Sequence, residues 1–194
     1  MKQYYNVGAS LPFLDPDQEF FPSTDEFIET CRPWLTEEHL LLLENITHVH
    51  QETPAAEFAA DVLPDFASFE RRIRAALAVH RSQRLEREHA SGEVPDTAYD
   101  SESEKAVAEA LAQPNPLAME ETLDTARWHK LDELQVGHYF DIQFLTVYAL
   151  KLLLLERKSR FTQQRGIENF TVSYRAVWTD IEHHVPKTES GANV

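Results

Sequence analysis

Apolar residues recur at steps of three and four along most of the chain, which is the spacing of one face of an α-helix. The clearest run follows Pro64, a residue suited to a first helical turn, and predicts a long amphipathic helix that ends near His89. The positions that follow this step are Phe66, Phe69, Ile73, Ala76, Leu77, His80 and Arg84. No alternation of apolar and polar residues is long enough to predict a strand. We therefore expect an all-α fold, a helical bundle.

Capping signals predict two short helices near the N-terminus. Ser23 has Glu26 three residues later, the pattern of a capping box, and Thr36 stands as an N-cap before an acidic first turn over residues 37–46. The segment before them, Tyr4 to Pro22, contains three prolines. A long regular helix is therefore excluded there.

The C-terminal half carries the strongest helix boundaries. Asn115 and Pro116 predict a helix start, and Gly137 stands where a left-handed C-cap belongs. Asp141 then predicts the cap of a helix that begins at Ile142 and is apolar nearly all round. A helix with this pattern is expected to be central and buried on several sides.

The same patterns divide the chain into one domain and a tail. Gly166 is interpreted as a stop or kink, after which an apolar stripe continues to about Ile181. We expect a single all-helical domain over residues 1–182, with a loop or linker at 91–103, and a disordered tail over residues 183–194.

The net charge of the chain limits the classes of partner that it can bind. The 194 residues carry a formal net charge of -15, so the chain lacks the basic surface that nucleic-acid binding requires. Residues 1–63 hold 12 acidic and 2 basic side chains, which favours a basic partner surface, with a merely solvated acidic face as the alternative.

The sequence also predicts no direct membrane insertion. The most apolar stretch, residues 142–155, is interrupted by Lys151 and falls short of the roughly 20 residues that a membrane-spanning helix needs. The N-terminus shows no basic region followed by an apolar run, and the single cysteine cannot form an intramolecular disulfide. We expect a cytoplasmic protein, at most peripheral on the inner membrane through partners.

Residue groupings typical of catalysis are missing from the sequence. It contains no nucleophile elbow, phosphate loop or dinucleotide fingerprint, and Cys31 lacks the surroundings of an activated thiol. The histidine pairs at residues 48 and 50 and at residues 183 and 184 do not match metal-ligand spacings. The prediction is a protein without catalytic residues, cofactor or metal.

Two groups of side chains are candidates for partner binding. The first consists of aromatic residues in the segment that the prolines interrupt: Tyr4, Tyr5, Phe13, Phe20 and Phe21. Such residues either cover the edge of a core or anchor a partner. The second consists of arginines on the polar face of the long helix: Arg71, Arg74 and Arg81. These pair with acidic residues of the same chain or of another protein, and Glu70 has the i,i+4 spacing for Arg74.

Several short motifs resemble a bacterial protein family encoded in V-type ATPase operons. They are Tyr4 to Pro12, Asn115-Pro116-Leu117, Trp128, Leu131 to Leu134, Gly137 to Asp141, Tyr148 to Leu152, Glu156-Arg157 and Gly166. The helical pattern and the Glu-Arg ending also resemble the C-type component of V/A-type ATPases, called d in eukaryotes. That component is a helical socket that sits on the proteolipid ring and receives the central stalk. It is built from three helical repeats, so this chain corresponds to one or two of them.

The resemblance implies a non-catalytic, C/d-like component of a V-type ATPase that couples the central stalk to the proteolipid ring in proton or sodium transport. A second hypothesis is a soluble assembly factor or adaptor for the same ATPase. A third is a helical metal-dependent enzyme, which requires distant histidines such as His48 and His50 to converge with acidic residues. The oligomeric state stays open.

Overall fold

In the computed structural model, the described residues are 4–46, 62–84, 101–161 and 163–184, and every regular element within them is an α-helix. The helices in chain order are α1 (Tyr5–Ser10), α2 (Thr24–Cys31), α3 (Glu37–Ile46), α4 (Val62–Arg84), α5 (Ser101–Leu111), α6 (Pro116–Gln135), α7 (Ile142–Ser159) and α8 (Gln163–His184). The all-α expectation is confirmed.

The helix boundaries follow the capping residues that the sequence predicted. The Ser23 side chain accepts from the Glu26 backbone N–H at 3.1 Å, and the Glu26 carboxylate accepts from the Ser23 N–H at 2.9 Å, so the capping box is complete. Asn115 caps α6 by accepting from the Ala118 N–H at 2.9 Å, with Pro116 as the first helical residue. Local sequence therefore determines where these helices begin.

The turn between α6 and α7 also matches its prediction. Gly137 has φ +88°, a left-handed conformation in which a Cβ is disfavoured, and it follows Val136, the C-cap residue of α6. Asp141 then accepts from the Phe144 N–H at 3.0 Å and starts α7. The two helices consequently meet at a sharply defined turn.

Helix α7 is buried on nearly every face as far as Leu155, which confirms the prediction of a central helix. Its fully buried side chains include Leu145, Val147 and Leu152. The core around it includes the following large residues, none of which is accessible beyond 1%: Phe27, Leu43, Ile46, Phe69, Ile73, Leu123 and Leu131. One helix therefore supplies the centre of the packing.

The contacts divide the chain into two compact units, Met1–Leu155 and Glu156–Val194. We call these unit 1 and unit 2. The predicted single domain over residues 1–182 spans both units. Among the described residues, no helix is both long enough and apolar enough to cross a membrane.

Gly166 lies inside α8, so the predicted stop at this residue is wrong, whereas the alternative of a kink stays a prediction. The interruption comes earlier, where the Arg160 and Phe161 N–H groups donate to the carbonyls of Arg157 and Lys158 at 3.1 and 3.0 Å. These i,i+3 bonds close the last turn of α7. A single glycine weakens a helix by only about 1 kcal/mol, so it does not end one by itself.

Two predicted boundaries also shift. Ser101 to Ser103 form the first turn of α5 and do not belong to the predicted loop 91–103, because acidic residues there favour a helix N-terminus. Likewise α8 continues through His183 and His184, the first residues of the predicted tail, because Pro186 is the first strong helix breaker. Residues 91–100 and 185–194 lie outside the described residues, as does the predicted end of α4 near His89.

Candidate partner-binding surfaces

The segment between α1 and α2, residues 11–23, crosses the surface of unit 1, and we call it the strap. Leu14 is buried, and Leu11 and Phe21 pack against the core. The Tyr148 hydroxyl of α7 donates to the Pro12 carbonyl at 3.0 Å. Apolar contacts and a hydrogen bond to the central helix therefore fix the strap at several points.

A local turn sets the middle of the strap. The Gln18 N–H donates to the Asp15 carbonyl at 3.2 Å, and the Asp17 N–H donates to the Asp15 carboxylate at 2.9 Å. The Asp15 N–H in turn donates to the Gln18 side chain at 3.1 Å. An aspartate that bonds the backbone two residues later is the usual device of such turns.

Two phenylalanines of the strap point away from the core. Phe13 is 87% exposed and Phe20 is 90% exposed, while their neighbours Leu14 and Phe21 face inward. The acidic residues between them are also at the surface, and Asp15 and Asp17 both belong to the turn. Large aromatic side chains on an acidic surface are characteristic of anchors for a partner protein.

The other predicted aromatic residues have different positions. Tyr4 is buried, and its hydroxyl lies 2.5 Å from His39 Nδ1, while its N–H donates to the Phe140 carbonyl. Tyr5 is half exposed and packs on the Phe140 ring at a centroid distance of 4.7 Å. Gly8 allows this close packing, because a Cβ there would lie 2.9 Å from the same ring. Tyr4 thus belongs to the core.

The three predicted arginines lie along α4. Arg71 and Arg81 are exposed, and among the described residues neither has a carboxylate within ion-pair distance. Arg74 lies 3.9 Å from Glu70, which confirms the i,i+4 pair. A role of Arg71 and Arg81 in partner binding therefore stays a prediction.

A chain of ion pairs along α6, buried in part, was not predicted from the sequence. Arg127 Nε donates to Glu70 at 2.6 Å, and its Nη1 donates to Asp124 at 2.9 Å. Burial lowers the pKa of Arg127, but the two carboxylates outweigh this effect and the net pKa is raised. The guanidinium therefore links α4 to α6 as a permanent cation.

Two lysines extend this chain to the neighbouring helices. Lys130 donates to Glu102 of α5 at 2.9 Å and to Glu133 at 3.0 Å, and Lys151 of α7 donates to Asp132 at 2.6 Å. The available signal was the spacing of charged residues by three along α6, at residues 124, 127, 130 and 133. Spacing alone does not show which charges become buried.

Cys31 and the histidines are the candidates for a reactive thiol and for metal ligands. The Cys31 side chain is fully buried, and burial raises the pKa of its thiol to about 12. Among the described residues, no three His, Cys, Asp or Glu side chains are close enough to hold a metal ion. His48 and His50 lie outside those residues.

Unit 2 carries a second apolar surface on α8, which we call the α8 seam. It consists of the following side chains: Ile167, Phe170, Tyr174, Val177 and Trp178. Phe170 is 69% exposed and Tyr174 is 57% exposed. Their rings stack at a centroid distance of 6.0 Å, and those of Tyr174 and Trp178 at 6.3 Å. The predicted stripe is present, and its members are exposed.

Residues 105–174 match the model of a family described as a protein of unknown function, DUF2764. No curated protein and no solved structure matches the chain. The matched range covers most of α5, all of α6 and α7, and the first half of α8. It therefore includes the ion-paired residues of α6 and part of the α8 seam, whereas the strap precedes it.

Proposed function

We propose that this chain is a non-catalytic component of a V-type ATPase at the cytoplasmic face of the membrane, similar to the C/d component. In this role it couples the central stalk to the proteolipid ring during proton or sodium transport. The resemblance of its sequence motifs supports the proposal. The observation that carries it is the strap, which presents Phe13 and Phe20 to solvent on an acidic helical unit.

A coupling component transmits force, so it needs a body that does not deform at the point of contact. The ion pairs of Arg127, Lys130 and Lys151 join α6 to α4, α5 and α7, and each is at least partly shielded from water. The pair of Arg127 and Glu70 is buried on both sides and is therefore the costliest of these pairs to separate. The strap is fixed to the same body through Leu14 and Tyr148.

The strap itself combines two kinds of interaction. Its acidic residues attract a basic partner surface and raise the association rate, and this contribution falls as salt is added. Phe13 and Phe20 supply the apolar area that a tight complex buries. We therefore expect the aromatic residues to control dissociation and the acidic residues to control association.

The test is affinity purification of the tagged chain from native membranes in mild detergent, with quantification of the ATPase components by mass spectrometry. Recovery of the proteolipid ring and the central stalk at fixed stoichiometry supports a rotor component. Recovery of partial assemblies alone supports the assembly factor. If no component of the ring or of the stalk is recovered, both the rotor-component and the assembly-factor hypotheses are contradicted.

Matched variants locate the binding surface. Phe13→Ser with Phe20→Ser is expected to reduce recovery of the ring and stalk at least about tenfold, since hot-spot aromatics often carry more than 2 kcal/mol. Leu117→Ser changes an exposed apolar residue of α6 and is expected to leave recovery unchanged. Equal recovery with all variants would assign binding to another surface.

A further inference from the structure

The α8 seam has the spacing of a coiled-coil stripe. Ile167, Phe170, Tyr174 and Val177 are separated by three, four and three residues, which places them at alternating a and d positions. The stripe also includes Trp178, at the e position that follows Val177. It fits against one further helix.

The polar side of α8 argues against a lipid surface as the occupant. Helices that lie in a membrane interface carry Lys and Arg along their polar face. Among the described side chains of α8, the charged ones are Glu168 and Arg175, which balance each other. The described part of the helix therefore lacks the attraction to anionic lipids that such binding requires.

We propose that the α8 seam binds the same seam of a second copy of this chain, with the two α8 helices antiparallel. The inference goes beyond the proposed function and does not depend on it. In such a dimer the two copies contact each other through unit 2.

The charge distribution supports a second copy at this position. Residues 1–155 carry 28 acidic and 12 basic side chains, a net charge of -16, so two copies repel each other through unit 1. Residues 156–194 carry 5 acidic and 6 basic side chains, a net charge of +1. Unit 2 is the part of the chain where two copies meet with least repulsion.

Charge also favours the antiparallel arrangement. A parallel pair places Glu168 level with Glu168 and Arg175 level with Arg175 of the second copy. An antiparallel pair that sets Ile167 against Val177, and Phe170 against Tyr174, brings Glu168 within one residue of the level of Arg175. The two helix dipoles then oppose each other as well.

The area is sufficient for a weak dimer. Aromatic side chains bury about 150–250 Å² each, so the partly exposed residues of the seam offer roughly 500 Å² per copy. A symmetric pair would bury about 1,000 Å², the lower bound of specific interfaces. We therefore expect association in the micromolar range and monomers at high dilution.

The first experiment measures the mass of the full chain by sedimentation equilibrium from low to high micromolar concentration. The inference predicts a transition from 22.4 kDa toward twice that mass. Tyr174→Glu with Val177→Glu is expected to raise the dimer Kd at least about tenfold, because the acids would be buried without partners. A chain that stays monomeric at every concentration overturns the inference.

A matched control separates the effect of the seam from the effect of the helix. Val172 is an exposed apolar residue of α8 outside the seam, so Val172→Glu makes the same chemical change off the interface. This variant is expected to dimerise like the unsubstituted chain. Dimerisation that survives the seam variant, or that is lost equally in the control, contradicts the proposal.

Disulfide trapping tests the direction without destabilising substitutions. In the antiparallel pair, Ile167→Cys of one copy faces Val177→Cys of the other, whereas identical positions lie about 15 Å apart along the axis, too far for a disulfide. A mixture of the two single variants should therefore give a mixed disulfide dimer. Each variant alone should not, and Cys31 is buried. Trapping of Ile167→Cys with itself overturns the antiparallel assignment.

Discussion

Helices α7 and α8 both contain many apolar residues, yet their surroundings are opposite. From Ile142 to Leu155 of α7, even the polar side chains of Gln143 and Lys151 are buried, and the Lys151 ammonium is bonded to Asp132 and Gln135. The large apolar side chains described for α8 are all at least half exposed. The distribution of apolar residues around a helix, and not their number, therefore distinguishes a central helix from one with an exposed stripe.

The two helices also differ in how a substitution should act. A change along the buried part of α7 or its ion-paired neighbour α6 removes contacts within the fold. A change on the α8 seam is expected to act mainly on the contacts of the proposed dimer. Stability and association measurements should therefore separate the two regions.

The largest effect is expected from Arg127→Met in the buried ion pairs. The substitution leaves Glu70 and Asp124 without their buried cation, and losses of this kind reach about 3–5 kcal/mol. Urea unfolding measures the change. Arg71→Met, at a solvent-exposed position of α4, serves as the control and should cost under about 0.5 kcal/mol. Equal effects of the two substitutions would contradict the assigned role of Arg127.

A cavity beside α7 is expected to lower the stability nearly as much as the loss of the Arg127 ion pairs. Leu152 is fully buried, so Leu152→Ala is expected to lower the free energy of unfolding by about 2–5 kcal/mol. Val177→Ala on the α8 seam, measured at high dilution, is expected to change it by less than about 0.5 kcal/mol. A large effect at Val177 under these conditions would show that the seam packs within the monomer.

Alkaline pH is expected to lower the stability of unit 1, because the buried Cys31 thiol resists deprotonation in the folded state. Below its ordinary pKa of 9.0 the thiol is protonated in both states, and between pH 9 and about 12 only the unfolded chain loses the proton. Stability therefore falls as the pH rises, by at most about 1.4 kcal/mol per pH unit. Urea unfolding of the unsubstituted chain and of Cys31→Ala from pH 8 to 11 measures this contribution. Burial, the largest cause of the raised pKa of Tyr148, is present in both chains, whereas the smaller effect of the Cys31 thiolate on Tyr148 is lost together with Cys31. Parallel pH profiles would contradict it.

The smallest effect is expected at the N-cap of α2. Ser23→Ala removes the oxygen that accepts from the Glu26 N–H and should cost about 1 kcal/mol. Thermal unfolding monitored by circular dichroism is sufficient to detect it. Ser23→Asp preserves an acceptor and should retain most of the stability; a loss as large as that of the alanine variant would exclude the capping bond as the cause.

Local signals in the sequence were sufficient for most of the helix boundaries. Ser23, Asn115 and Asp141 act within three residues of their own position, so their capping bonds are readable without tertiary structure. The apolar pattern of α7 likewise predicted its central place. The stop predicted at Gly166 was wrong because the i,i+3 bonds at the end of α7 decide where the helix breaks, and these involve residues without a helix-breaking signature.

The candidate surfaces were only partly predictable. The sequence pattern placed Tyr4 in one group with Phe13 and Phe20. In the structure Tyr4 is buried against His39, 35 residues away, whereas the two phenylalanines are exposed. The pairing of Arg127 with Glu70 spans 57 residues and depends on how α4 and α6 pack. Interactions between distant residues decide both outcomes, and a periodic pattern does not contain them.

Hydrogen exchange of the chain, free and within the purified ATPase preparation, tests the central claim most directly. The account predicts that the backbone amides of the strap, residues 11–23, gain protection in the complex, while those of α7 exchange equally slowly in both samples. Unchanged exchange in the strap, with new protection confined to other segments, would contradict the assignment of Phe13 and Phe20 as the anchors.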